Sequence, residues 1–358
     1  MNALISLMNP IIQWLIPLML IRHYDLSYVG QYSLFLSFAS SIVIVLMLSS
    51  KNFSLAGYFS SRENQSAYQV HKSIRFSLLV VLLFAYLLCL LFAWDIFKII
   101  FFVKFVDVYL DSMVSFSKQE RYQKYQLFAL IIAVLMVCLS INHPLVAFDY
   151  FVGIFMFLFL LMFYLNHRPA AYVSLPVIKS ALNSVSYQFS STFLMFFQRY
   201  FIAAVSSMEA LGFYSLLLQF VVFWSIFIQA AFAQFNTKIF SATVFKIFFV
   251  LAALLAIPSI YLVFQYIYLI LPPSGSDFLL LLVIFACVFI ELSFYIGGLK
   301  ENKIKFYLPN LVVLCMLVMV TGLSVHLSQS YAPLVVVCLS YILRCGIFYW
   351  MSKRTLIS

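Results

Sequence analysis

Twelve apolar stretches of membrane-crossing length, separated by short polar turns, leave this 358-residue chain little choice of solvent. They run over 4–21, 31–50, 74–94, 96–116, 126–142, 145–165, 185–206, 211–232, 244–270, 277–298, 306–326 and 331–351. Crossing the hydrocarbon takes about 20 apolar residues as a helix, the form that satisfies every backbone polar group within its own segment. Hydrophobic residues make up 65% and charged residues 9% of the chain, and the mean hydropathy is +1.08. A water-soluble domain is about half apolar and a quarter charged. The expected fold class is an all-α polytopic membrane protein. The first apolar run has no basic residue before it and no small-residue cleavage site after it, so it is expected to be a span and not a cleaved signal.

Basic residues collect on the cytoplasmic side of membrane proteins. With the N-terminus inside, sixteen of the 21 Lys and Arg residues fall at inner segments: Lys51, Arg62, Lys72, Arg75, Lys118, Arg121, Lys124, Arg168, Lys179, Lys238, Lys246, Lys300, Lys303, Lys305, Lys353 and Arg354. Only Arg22 falls in an outer loop, and Lys98, Lys104, Arg199 and Arg344 lie within spans. Miscounting one span mid-chain would switch every later loop and destroy this asymmetry. Both termini are therefore expected on the cytoplasmic face of the membrane. The first span alone disagrees, having its flanking base, Arg22, on the outer side. The formal charge of +10 is largely orientation signal. The bases are scattered over short loops and form no groove for nucleic acid.

The chain also repeats itself. Val29-Gly30-Gln31-Tyr32-Ser33-Leu34-Phe35-Leu36-Ser37-Phe38 returns as Leu211-Gly212-Phe213-Tyr214-Ser215-Leu216-Leu217-Leu218-Gln219-Phe220, an offset of 182 residues, about half the chain. A polar stretch, 166–184, with Pro169 and Pro176, separates the sixth and seventh spans. The division is a lobe over 1–165, a cytoplasmic linker over 166–184 and a lobe over 185–358. Six spans per half give both halves the same orientation: two parallel six-helix repeats related by an axis along the membrane normal, as in some secondary transporters.

Ionisable groups at bilayer depth cost several kcal/mol unless paired or wetted, so each is a candidate for function. In the fourth span, Lys104, Asp107 and Asp111 follow at i, i+3 and i+7, within an arc of about 60°, and Ser115 extends the stripe. Either it faces a wet cavity, where the paired acids suit ion coupling, or Lys104 and Asp107 form a structural pair. Arg199, about 10 Å from the outer end of the seventh span, either grips a phosphate with its planar fork or snorkels outward. Arg344, in the inner part of the twelfth span, faces the same choice. Glu291, in the tenth, either carries a proton or pairs with a cation. Lys98, at the outer mouth of the fourth span, either anchors at the interface or meets an anion. Gln13, Gln198, Gln219 and Gln229 tie helices together or meet sugar hydroxyls.

Other chemistry is missing its residues. There is no G-x-x-x-x-G-K-[ST] phosphate loop and no G-x-S-x-G elbow. The five histidines form no metal-spaced cluster, and the six cysteines sit singly in apolar runs, so no metal, cofactor or disulfide framework is expected. Outer loops of a few residues leave little room for a catalytic site, so the chain is not expected to be an enzyme.

The G-x-Y-S element entering the second and eighth spans, the basic loop after the second and the linker after the sixth resemble the polysaccharide (O-antigen or O-unit) flippases of the multidrug/oligosaccharidyl-lipid/polysaccharide exporter superfamily. The residue likeness rests mainly on 26–59 and 208–240. It implies two six-helix lobes forming a V around a central cavity, with no cofactor. It implies an undecaprenyl-pyrophosphate-linked oligosaccharide as substrate, carried across the inner membrane by alternating access, with an ion gradient as candidate drive. Membrane lipid, a polysaccharide polymerase and a chain-length regulator are the expected partners; nucleic acid is not. The substrate-binding cations would be Arg199, Lys104 and Arg344, and the ion-coupling acids Asp107, Asp111 and Glu291. A drug exporter of the same superfamily is the alternative, and an integral polysaccharide polymerase a more distant one.

Overall fold

The computed structural model describes residues 12, 15–46, 64–92, 94–116, 131–135, 137–138, 145–167, 175–234, 255, 258–268, 275–298, 310, 312–320 and 333–357. The described chain is helical, without a strand. Eight long helices are present among these residues: α1 (Leu26–Leu46), α2 (Asn64–Leu91), α3 (Asp95–Phe116), α4 (Leu145–His167), α5 (Leu175–Val205), α6 (Met208–Gln234), α7 (Gly275–Gly298) and α8 (Pro333–Ile357). Shorter helical stretches occupy 15–23, 131–135, 258–262 and 312–320. A π-helical turn over Val263–Tyr268 was not expected from the sequence.

These helices overlay eight of the apolar stretches, with ends displaced where polar residues cap or extend them. Helix α5 begins at Leu175, inside the polar stretch assigned to the linker. Pro176 lies in its first turn, where a missing amide hydrogen costs nothing. Among the described residues, Leu26–Leu46 and Ser73–Leu91 are long and apolar enough to cross a membrane, with hydropathies of 1.8 and 2.6. Five shorter apolar stretches, Asp149–Leu165, Thr192–Val205, Met208–Val221, Gly275–Val288 and Leu334–Ile347, lie within α4 to α8. Most of the fifth span, and much of the ninth and eleventh, lie outside the described residues, as do Lys51, Arg62, Lys118, Arg121, Lys124, Arg168, Lys238, Lys246, Lys300, Lys303 and Lys305.

The chain forms two compact units. The first comprises Met1–His23 and Phe35–Phe193, the second Tyr24–Leu34 and Leu194–Ser358. In the first, α2 packs along both α3 and α4. Edge-to-face rings hold the α3–α4 seam, Phe102 on Phe155 and Tyr109 on Phe159, the latter at 4.8 Å. The Tyr86 ring lies beside Gly153 of α4, at a distance where a Cβ would make ordinary van der Waals contact. In the second, α7 packs on α8 and on α6, and Phe264 of the π turn meets Phe213 and Phe220 of α6.

Large apolar side chains lie on the surface as well as in the apolar core, and a few bases are buried. Phe84, Phe151, Leu165 and Met319 are each more than 60% exposed, whereas Arg75, Lys98, Lys104 and Arg344 are buried. A water-facing surface rarely displays this much apolar area.

Candidate functional site

Two helix–turn–helix corners share one geometry. A helix ends at His23, Tyr24 and Asp25 turn, and α1 starts at Leu26; α5 ends at Val205, Ser206 and Ser207 turn, and α6 starts at Met208. Each turn residue is offset from its counterpart by 182. The caps correspond too: Asp25 Oδ1 accepts the Tyr28 amide at 2.8 Å, and Ser207 Oγ accepts the Ala210 amide at 3.0 Å. Both cap the third amide of the new helix, which otherwise lacks a partner. The Ser27 hydroxyl and the Tyr28 amide, in that order, hold the Asp25 carboxyl below its ordinary pKa.

The two G-x-Y-S copies then pack against each other within the second unit. A Cβ on Gly30 would run into the Met208 carbonyl oxygen, and one on Gly212 into that of Leu26. Shifting the first contact by 182 gives the second, so the contact is isologous. Where it maps onto itself, Ser33 Oγ and Ser215 Oγ lie 2.6 Å apart. Ser33 directs its hydrogen at the Gly30 carbonyl, 3.0 Å away, which leaves Ser215 as donor of the serine pair. Only glycine permits backbones this close.

Arg199 of α5 reaches this crossing. Its Nη1 donates to the Ser33 carbonyl at 3.2 Å. Tyr32 and Tyr341 are near enough to interact electrostatically with the guanidinium. Among the described residues no carboxylate pairs with it. Next to it, buried Gln198 donates to Ser340 Oγ at 2.8 Å, tying α5 to α8; Ser340 in turn donates to the Val337 carbonyl. Arg344 follows one turn further along α8, buried. The second unit thus gathers Arg199, Tyr32, Tyr341 and the Gln198–Ser340 bond around one helix crossing.

The acids and lysines of the first unit are arranged differently. Lys104 pairs with Asp107 at 2.6 Å along α3. Asp111 lies one turn further along α3, and Glu291 lies on α7 in the second unit; the side chains of both lie outside the described residues. Lys98, buried, bridges Asp95 at 2.7 Å and Asp149 of α4 at 2.6 Å. Tyr86 donates to the Asp149 backbone carbonyl at 2.9 Å. The sequence reading passed over Asp149. Its signal was an acid five residues into an apolar span, a position that demands a cation at equal depth. Arg75, counted with the inner bases, is 1% exposed, the largest fully buried side chain among the described residues. Among the described residues no three His, Cys, Asp or Glu side chains gather as a metal site.

Fold and site define an all-helical protein with buried cations, an apolar exterior and two matching corners packed on each other. No known family, no curated protein and no solved structure matches the chain.

Proposed function

We propose that this chain is a polytopic carrier of the cytoplasmic membrane, built as two parallel repeats of six spans, that moves a lipid-linked oligosaccharide between leaflets. The observation that carries the reading is Arg199, a cation in an apolar helix with a carbonyl as hydrogen-bond partner, set where the two G-x-Y-S copies meet. Cargo of this kind joins a pyrophosphate to many hydroxyls, and neither crosses hydrocarbon unaided. A guanidinium not matched by an acid among the described residues suits the first, and tyrosines beside it suit the second. The exposed apolar side chains, the buried bases and the corresponding corners at 23–26 and 205–208 support a repeated membrane architecture. The depths also agree: with both termini inside, Asp25, Ser207, Lys98 and Asp149 all fall toward the outer ends of their spans.

Among the cation candidates, Arg199 is favoured over Lys104, whose charge Asp107 already balances. Replacing Arg199 with Ala in a strain that displays surface polysaccharide should lower display about tenfold or more at normal protein level, the worth of one charge-assisted contact to a phosphate. Arg199→Lys keeps the charge but loses the fork and should fall between. Unchanged display with Ala would remove Arg199 as a substrate ligand.

A further inference from the structure

The geometry points to α1 as a hinged tether: its outer third is clamped permanently to α6, and it bends over residues 35–41 when the carrier changes state. This rests on the carrier reading. The unit boundary falls inside α1, between Leu34 and Phe35, although the helix is continuous from Leu26 to Leu46. On one side of the boundary, Ser33 bonds Ser215 of α6 and its carbonyl holds Arg199. On the other, Phe35 packs on Phe97 of α3 with ring centroids 5.2 Å apart. Two residues therefore separate an attachment within one unit from an attachment within the other. A displacement between the units must be absorbed where the chain passes from one to the other, and in α1 that point lies just past Ser33.

The next turns are built to yield. Ser40 Oγ donates to the Leu36 carbonyl at 2.6 Å, and Ser41 Oγ to the Ser37 carbonyl at 3.0 Å. Serine hydroxyls bonded four residues back compete with the helix ladder and bend helices. The clamp resists instead: its glycines bring carbonyls against the partner backbone, and two capped helix starts lock it from the outer end. Helix α5 passes between units as well, at Phe193–Leu194, directly after Ser190, Ser191 and Thr192. A second continuous helix crosses the boundary beside a hydroxyl run.

Two measurements on the full chain test this. In hydrogen exchange of the purified protein, amides of 38–45 should exchange about tenfold faster than those of 29–34, as local opening of a weakened helical turn requires. Ser40→Ala/Ser41→Ala should narrow that gap. Uniform protection along α1 would overturn the hinge. In Ser33→Cys/Ser215→Cys, oxidation should join the two helices, and display should be equal before and after oxidation. Loss of display on oxidation, restored by reductant, would show that the contact parts during the cycle and overturn the clamp. If Arg199→Ala leaves display intact, Arg199 is removed as a substrate ligand, and hydrogen exchange decides the hinge independently of that result. Exchange needs only the native chain, so poor expression of the cysteine pair leaves it decisive.

Discussion

Lys98 shows what one residue in an apolar protein is worth. It is buried between an exposed carboxylate, Asp95, and a half-buried one, Asp149. Removing the lysine strands Asp149 in α4, and breaking a buried pair costs about 3–5 kcal/mol. Lys98→Met should lower the thermal unfolding midpoint of the detergent-solubilised protein accordingly, and adding Asp149→Leu should recover most of the loss. Asp95→Asn should change stability by less than about 1 kcal/mol, because exposed pairs are screened by water. Equal effects of Asp95→Asn and Lys98→Met would show that Asp149 contributes nothing. The same logic separates Arg199 from Lys104: a cation whose hydrogen bond goes to a carbonyl keeps its charge for a ligand, whereas one paired along its own helix has spent it.

At the scale of elements, the start of α1 is set by Asp25. Its folded pKa is depressed, so its contribution is fully present above the unfolded pKa, near 3.8, and is lost as pH falls through the lower folded value. Acidifying the solubilised protein below about pH 4 should therefore erode the stability of the corner at α1. Asp25→Asn keeps a capping oxygen but removes the titration. Comparing thermal midpoints against pH should show the wild-type curve falling more steeply there than the variant's. The matching corner at Ser207 has no ionisable cap and should not add to that slope. The existence of these helices was legible from their apolar runs, but the starts of α1, α2 and α5 were not: they lie five to ten residues before those runs, at Leu26, Asn64 and Leu175. The π turn at Val263–Tyr268 was not legible either, since nothing in Val-Phe-Gln-Tyr-Ile-Tyr separates it from an ordinary helical turn.

For the whole molecule, two parallel six-span repeats require both termini on one face of the membrane. Reporter fusions after residues 2 and 358 should both report the cytoplasm. Opposite signals would mean an odd number of spans and would remove the parallel arrangement on which the transport reading stands. The basic asymmetry of sixteen to one between inner segments and outer loops makes the same-side outcome the expected one.

The sequence by itself determined the helical class, the long apolar runs and the repeated element that opens two of the helices. Those follow from transfer free energy and periodicity, which belong to a single segment and need no partner. Only the tertiary structure decided that the two corners pack on each other, that Ser33 meets Ser215, that Arg199 reaches that crossing, and that Lys98 chooses Asp149. Apolar helices of similar composition offer many near-equal pairings. Which pairing wins depends on backbone approach at two glycines and on charges matched in depth, and both come into being only when distant segments meet.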